Sequence, residues 1–262
     1  MADLWLLPIL GLFIGATVTL LGGGGGVFYF LTLVTLVGLP YRVAVPTSLA
    51  TVVLTTAFGS YGHYREGNVA VRIGALVVSG AVVGTYLGTR AVGSLPTSLL
   101  RRALGGFLLA LAVATLVVDR YRPSPRDAAG TRTTSVALGP VRAGGAVALG
   151  VLTGALSALF GISGTPVLLP GLFALGLPAT AVVGTSVFAV LGVAVAGVGW
   201  YAGLGALDPV VAAAFGLGAA GGGVLAPRLL AGAPTDRLEA LSGPVFAGLS
   251  ALAGVGFLAG LL

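Results

Sequence analysis

An internal repeat with a fixed spacing of 138 residues constrains the fold of this 262-residue chain more than any other feature. Gly38-Leu39-Pro40 recurs as Gly176-Leu177-Pro178, and Thr47-Ser48 recurs as Thr185-Ser186, without any gap in the alignment. The same spacing relates further pairs: Gly59 and Gly197, Gly67 and Gly205, Gly84 and Gly222, Arg90 and Arg228, Pro96-Thr97 and Pro234-Thr235, Gly105 and Gly243. Duplicated halves are typical of membrane carriers, which bind their cargo where the two halves meet.

The composition is that of an integral membrane protein. Hydrophobic residues make up 57% of the chain and charged residues only 8%, with a mean hydropathy of +1.10, whereas soluble domains carry about 25% charged residues. The net charge of +6 does not indicate a nucleic-acid partner, because the arginines lie between apolar segments, where they favour a cytoplasmic location. The chain has no cysteine, which excludes disulfides and thiolate metal sites. We predict neither a metal nor a cofactor.

Long apolar runs predict the membrane segments, since about 20 apolar residues are needed to cross the hydrocarbon core. The first half offers the runs 4–39, 43–61, 69–88 and 99–118, and the second half offers 144–177, 179–201, 209–230 and 238–262. The start of the chain lacks the positive charge of a signal peptide, so the first run is expected to stay in the membrane. The predicted organisation is a first transmembrane repeat (1–118), an arginine-rich cytoplasmic linker (119–142) and a second transmembrane repeat (143–262).

The leading run of each half is too long for one crossing. As a single helix, residues 4–39 would extend about 54 Å, and both leading runs are interrupted, by Gly22 through Gly26 and by Gly161 through Pro166. Consecutive glycines disfavour a helix by about 1 kcal/mol each relative to alanine. We therefore predict an all-α, polytopic membrane protein in which each half is a glycine-broken helical hairpin followed by three transmembrane helices.

The distribution of arginines favours an inverted relation between the halves. A hairpin returns the chain to its starting side, so each half makes an odd number of crossings and the second half is inverted. Inversion places nine arginines on one side and four on the other, whereas a parallel arrangement splits them seven against six. Because arginine is retained on the cytoplasmic face, the linker is expected inside and both termini outside.

The glycine breaks are the candidate substrate site. A half-helix that begins near Val27 or Thr165 presents free N–H groups and a partial positive charge, which suit an anion. The Thr-Ser pairs either cap their own helices or hydrogen-bond an oxyanion beside the breaks. The alternative for the breaks is close packing or a hinge. The predicted substrate-binding residues are Gly23, Gly24, Gly25, Gly26, Thr47, Ser48, Gly161, Ser163, Gly164, Thr165, Thr185 and Ser186.

Rows of small residues at a spacing of four predict close helix–helix contacts in lipid. These rows are Gly80, Gly84 and Gly88 in the first half, and Gly218, Gly222 and Ala226 in the second. No carboxylate falls clearly inside an apolar run, so the sequence leaves the coupling ion open.

The glycine-rich break, the following Gly-Leu-Pro and the Thr-Ser pair, all duplicated, resemble the TauE/SafE family over about residues 10–262. The resemblance implies a multi-pass protein of the cytoplasmic membrane that exports sulfite or a short organosulfonate, with a small anion and the lipid bilayer as partners. The first half has five glycines in a row where the family more often has a Gly-x-Gly-Gly-Gly-type run, which leaves the register of the first site open. Substrate, direction and a homodimer are also left open.

The sequence also allows three alternatives to a carrier. Gly161-Ile162-Ser163-Gly164 matches the Gly-x-Ser-Gly of rhomboid-type proteases, but the single histidine, His63, is expected at the surface in the connection 61–68 and precedes the serine. We therefore predict that the protein is not an enzyme. An anion channel and a non-transporting membrane assembly protein remain the other interpretations.

Overall fold

The computed structural model describes the backbone of residues 5–20, 25–121, 139–229 and 235–260, with side chains except at 18–20, 118–121, 226–229 and 235–243. Every regular element in these ranges is an α-helix, which confirms the predicted all-α class. The helices are α1 (Leu6–Leu20), α2 (Gly26–Thr35), α3 (Tyr41–Arg65), α4 (Val71–Ser94), α5 (Thr97–Tyr121), α6 (Pro140–Phe160), α7 (Thr165–Ala174), α8 (Ala179–Ala202), α9 (Pro209–Leu229) and α10 (Thr235–Ala259).

Within the residues described with side chains, five helices are long and apolar enough to cross a membrane: α3, α4, α5, α6 and α8. The outer surface of the bundle is apolar as well. Val113, Leu217 and Leu252 are 61%, 65% and 73% exposed, which is unfavourable in water and ordinary against lipid. The helix lengths and the apolar surface together confirm a polytopic membrane protein.

The second leading run is broken where the glycines predict it, and the first forms two helices on either side of residues 21–24, which lie outside the described residues. The run 4–39 forms α1 and α2, and the run 144–177 lies in α6 and α7. At the second break, Gly161 and Gly164 have φ angles of 65° and 69°, a left-handed conformation that glycine adopts at little cost. α6 therefore ends at Phe160, and α7 starts afresh at Thr165 with a proline as its second residue.

The predicted linker lies mostly outside the described residues. α5 continues to Tyr121 and α6 begins at Pro140, so both helices extend into the predicted linker 119–142. The helices extend further than the apolar runs because their hydrogen bonding continues beyond the last apolar residue.

The glycine rows place helices of opposite halves in backbone contact, as the small-residue spacing predicts. α4 packs along α6 and α1 packs along α9. A Cβ added at Gly80 or Gly84 would overlap a carbonyl oxygen of α6, and one added at Gly218 or Gly222 would overlap a carbonyl oxygen of α1. Only glycine permits this approach.

Equivalent helices of the two halves also pack on each other. α3 contacts α8, and α5 contacts α10. Gly59 of α3 lies against Val187 of α8, while Leu49 lies against Gly197. The later residue of α3 contacts the earlier residue of α8 and the earlier one contacts the later, so the two helices are antiparallel. One hydrophobic core contains residues of both halves, and the second break lies inside it.

Candidate functional site

A cavity of about 630 Å³ lies between the two breaks and helices α3, α8 and α9. Its wall includes the start of α2, the start of α7, the second half of α3, the first half of α8 and the second half of α9. The lining residues are Gly25, Gly26, Tyr29, Val52, Thr55, Thr56, Phe58, Gly59, His63, Ser163, Thr165, Leu169, Val183, Ser186, Val187, Val190, Ala219, Ala220, Gly223 and Val224.

The structure brings five of the predicted substrate-binding residues to the cavity wall: Gly25, Gly26, Ser163, Thr165 and Ser186. Five others are outside the wall and are treated below with their hydrogen-bond partners: Thr47, Ser48, Gly161, Gly164 and Thr185. Gly23 and Gly24 lie outside the described residues.

The second break presents hydrogen-bond donors to the cavity. The hydroxyls of Ser163 and Thr165 lie 2.9 Å apart, and this bond consumes only one of their two protons. Within the described ranges, no group accepts the backbone N–H of Thr165. The next residue is a proline without an N–H, and the amides of Val167 and Leu168 both donate to the carbonyl of Gly164. The free donors of α7 are therefore concentrated at its first residue.

Three carbonyl groups at the same break accept hydrogen bonds from side chains distant in sequence. The Tyr201 hydroxyl donates to the carbonyl of Ala158 at 2.7 Å, and the Tyr41 hydroxyl donates to that of Leu159 at 2.8 Å. These two carbonyls belong to the last turn of α6, where a helix has no partners of its own for them. The carbonyls of Phe160, Ile162 and Ser163 have no donor among the described residues.

The carbonyl of Gly161, within the break, is occupied in the same way. The Ser48 hydroxyl lies 2.8 Å from the carbonyl oxygen of Gly161 and 2.7 Å from that of Val45, so its single proton serves both. Ser48 is fully buried. Its position explains why it is absent from the cavity wall, since its hydroxyl faces the far side of the break.

The first break packs directly onto the second. A Cβ added at Gly26 would overlap the backbone nitrogen of Ser163, so glycine at this position lets α2 begin against the other half. Among hydrogen bonds between described residues, the first amide of α2 with an acceptor is that of Tyr29, which donates to Gly25 at 3.0 Å. In the part of the chain that the structure describes, the Val27 amide has no acceptor.

Gly164 packs closely against the buried side chains of Thr153 and Ser157 behind the second break. A Cβ at Gly164 would overlap the methyl of Thr153 and come within 2.8 Å of the Ser157 hydroxyl. Both hydroxyls are buried, and neither has a partner among the described residues. This close packing leaves no room for a larger residue at Gly164.

Three further hydroxyls of the wall donate to carbonyls of their own helices. Thr55 donates to Thr51 at 3.1 Å, Thr56 donates to Val52 at 2.7 Å and Ser186 donates to Val183 at 2.8 Å. They therefore offer lone pairs to the cavity. Sequence reasoning missed Thr55 and Thr56, although the spacing of Thr47, Thr51 and Thr55 along one helix face would have indicated them.

The expectation for His63 was wrong. α3 continues to Arg65, so His63 lies in the last helical turn and not in a connecting segment. It is half-buried, lines the cavity, and its Nδ1 is buried without a partner in the described part of the protein. The Ser163 hydroxyl bonds to Thr165, so the serine–histidine pair of a protease is not formed.

The electrostatics of the cavity come from backbone dipoles, since none of its described lining residues is Asp, Glu, Lys or Arg. The described ranges also contain no group of three His, Asp or Glu side chains that could hold a metal ion.

A helical membrane protein with an apolar exterior, and with two broken helices meeting at a cavity, has the architecture of a membrane transporter. The chain belongs to the TauE/SafE family: residues 7–257 match the family described as "Sulfite exporter TauE/SafE". It is 34% identical over 190 residues to the "Probable membrane transporter protein YdhB" of Bacillus subtilis (strain 168), covering 72% of this chain and 71% of that protein. No solved structure matches the chain.

Proposed function

We propose that the protein is a secondary transporter that exports a small sulfur oxyanion, such as sulfite or a short organosulfonate, across the cytoplasmic membrane. The anion binds where the two glycine breaks meet. The observation that carries this proposal is the group of hydrogen-bond donors at the start of α7, where the backbone amide of Thr165 has no acceptor among the described residues and the hydroxyls of Ser163 and Thr165 line the cavity.

These donors favour negative charge. Free N–H groups at the start of a helix carry the positive end of the helix dipole, which favours an anion. The starts of α2 and α7 both point into the same cavity, so their effects add. A cavity without charged side chains binds an anion weakly enough to release it, as transport requires.

The size of the cavity fits a small oxyanion that keeps part of its hydration. A volume of about 630 Å³ exceeds that of sulfite and leaves room for a short organosulfonate or for water, which occupies about 30 Å³ per molecule. The apolar wall residues Val187 and Val190 suit a short carbon chain.

The proposed topology places the cavity mouth on the cytoplasmic side. The mouth lies at the end of α3 and the start of α8, where Phe58 and Val183 are exposed. Arg65 and Arg72 flank the same end of α3 and α4, which is the arginine-rich side in the inverted arrangement. The antiparallel packing of α3 and α8 supports that arrangement.

Export of an anion from this side follows the membrane potential. An inside-negative potential supplies about 2.3 kcal/mol per charge per 100 mV, and a dianion gains twice this amount. The two halves alternate access by rocking about the site where they meet.

Sulfite flux from proteoliposomes tests the proposal. We expect saturable sulfite efflux that is stimulated by sulfite on the opposite side, and at least a tenfold loss in the double variant Ser163→Ala, Thr165→Val. The matched control is Thr115→Val on α5, which removes a hydroxyl bonded to Leu111 at 2.9 Å and keeps its flux. Unitary currents would favour a channel, and absence of any flux would favour an assembly protein.

A further inference from the structure

Tyr29 is a polar residue of the cavity wall that lies outside the set predicted from the sequence. It is one turn inside α2, close to the first break, and is 3% exposed. Helical side chains point back toward the N-terminus of their helix, so that of Tyr29 extends toward the break and the cavity that it lines. Its phenol can both donate and accept a hydrogen bond.

The ring of Tyr29 is held in place by α9. It packs edge-to-face on Phe215, with 5.8 Å between the ring centroids and an interplanar angle of 86°, and Phe215 is fully buried. A tyrosine side chain has only two χ angles, and this contact restrains both. The hydroxyl at the tip of the ring therefore has a defined position in the cavity wall.

The phenol proton of Tyr29 is held by a neutral partner. The Tyr29 hydroxyl forms a side-chain hydrogen bond with that of Thr55. The Thr55 proton goes to the carbonyls of Thr51 and Val52, each 3.1 Å away, so Thr55 accepts and Tyr29 donates. A hydrogen bond to an ionised acceptor is shorter and roughly twice as strong as one to a neutral acceptor. An anion in the cavity therefore competes favourably for the Tyr29 proton.

The first break lacks the side-chain donors of the second. At the repeat spacing of 138 residues, Ser163 corresponds to Gly25 and Thr165 corresponds to Val27. Glycine has no side chain and valine has no polar group, so these two positions of the first half offer only backbone groups to a ligand. The hydroxyl pair of the second half has no equivalent there.

Tyr29 supplies a donor to the first half that the second half lacks in turn. Its counterpart in α7 is Val167, which cannot donate from its side chain. A Cβ added at Gly26 would overlap the backbone nitrogen of Ser163, and Tyr29 is three residues further, about 4.5 Å along the axis of α2. The phenol and the hydroxyls of the second break therefore border the same cavity near the point where the breaks meet.

We infer that Tyr29 is a further substrate-binding residue: its phenol donates a hydrogen bond to one oxygen of the oxyanion whose other oxygens are bound at the start of α7. This inference rests on the proposed function. The substrate is then bound by side chains of both halves. An anion with several oxygens can contact both groups of donors, whereas a monatomic halide contacts one of them. Tyr29 therefore contributes to selection for oxyanions over chloride.

Calorimetric titration of the purified protein tests the inference. Dissociation constants for sulfite, ethanesulfonate and chloride are measured at matched ionic strength in the native chain, in Tyr29→Phe and in Thr32→Val. Tyr29→Phe removes the phenol oxygen and keeps the ring against Phe215. The control Thr32→Val removes a buried hydroxyl of the same helix, which donates to Phe28 at 2.8 Å and is not part of the described cavity wall.

We expect Tyr29→Phe to weaken oxyanion binding about tenfold, because hydrogen bonds to charged groups are among the stronger ones. Chloride binding and the melting temperature of the unliganded protein should not change, and Thr32→Val should bind all three anions as the native chain does. An unchanged oxyanion dissociation constant in Tyr29→Phe, or an equal loss for oxyanions and chloride, overturns the inference and leaves the proposed function standing. A native chain that binds neither sulfite nor ethanesulfonate overturns the proposed function and the inference with it.

Thr55→Val tests the same donor without altering Tyr29. It removes the neutral acceptor, so the phenol proton is available to the anion without competition. Oxyanion binding should become about threefold tighter, the effect of losing one neutral hydrogen bond in the unliganded state. This gain should vanish in the double variant with Tyr29→Phe. Unchanged or weaker oxyanion binding in Thr55→Val overturns the inference, even if Tyr29→Phe is too unstable to be measured.

Discussion

The side-chain hydroxyl of Thr185 accepts a hydrogen bond from the backbone amide of Ala70, with 2.9 Å between Oγ1 and N. The repeat reproduces this bond in the other half, where the Thr47 hydroxyl lies 3.4 Å from the amide of Asp208. Ala70 and Asp208 immediately precede α4 and α9. Each threonine therefore accepts a hydrogen bond from the amide that precedes a helix of the opposite half, and this bond joins the two repeats.

Replacing Thr185 with valine is expected to reduce stability. The Ala70 amide is left buried without an acceptor, which costs about 1–3 kcal/mol, while Thr185→Ser keeps the bond. Thermal unfolding of the purified protein in detergent measures the difference. If Thr185→Val keeps its melting temperature and instead loses oxyanion binding, the role that the sequence predicts for this residue is correct.

Two neighbouring glycines of α9 are expected to respond oppositely to alanine. Gly222→Ala forces a Cβ into the carbonyl of Leu12 on α1, whereas Gly221→Ala meets nothing within 4 Å. The first variant should lose about 1–3 kcal/mol, and the second should be neutral or slightly stabilised, because alanine favours the helix. Equal melting temperatures would contradict the observed contact between α1 and α9.

Alanine at Gly164 is expected to abolish transport. Gly164 and Gly205 have similar positive φ angles, 69° and 64°, so alanine imposes comparable backbone strain at each. Only at Gly164 does the added Cβ meet neighbours, namely Thr153 and Ser157, since Gly205 has none within 4 Å. Sulfite flux should therefore survive Gly205→Ala and not Gly164→Ala. Loss of flux in both variants would assign the effect to strain alone.

Removing the Tyr41 hydroxyl is expected to destabilise the second break. Tyr41→Phe leaves the Leu159 carbonyl without its donor at a buried position, at a cost of about 1–3 kcal/mol. Tyr61→Phe is the control, since Tyr61 is 63% exposed. A melting temperature unchanged in Tyr41→Phe would show that this carbonyl finds another partner.

Small oxyanions are expected to raise the melting temperature. A ligand that binds only the folded state stabilises it by about 2.7 kcal/mol at 100 times its dissociation constant. Sulfite, sulfate, thiosulfate and sulfoacetate are compared with zwitterionic taurine and with chloride at matched ionic strength. Stabilisation by chloride equal to that by every oxyanion would argue against a site selective for oxyanions.

The helices could be predicted because apolar length alone determines a membrane crossing. The run 43–61 is found within α3 and the run 179–201 within α8. Hydropathy marks the hydrocarbon-facing part of a helix and not its last hydrogen bond, which is why His63 was assigned to a loop although α3 reaches Arg65.

The site could be predicted only in part because its partners are distant in sequence. Ser163 and Thr165 were found from local signals, the glycines and hydroxyls of one break. The bond from Tyr41 to Leu159 joins residues 118 apart, and no local pattern indicates it. The threonine bonds between the halves require knowledge of which helices pack together.

The pairing of α1 with α9 has a consequence for biosynthesis. α1 ends at Leu20 and its partner begins at Pro209, so the ribosome must add all of α2 to α8 before the two can meet. At cellular elongation rates this interval lasts on the order of 10 s or more. During it, the face of α1 that packs on α9 lacks its partner, and this pair of helices forms only after α9 has been synthesised.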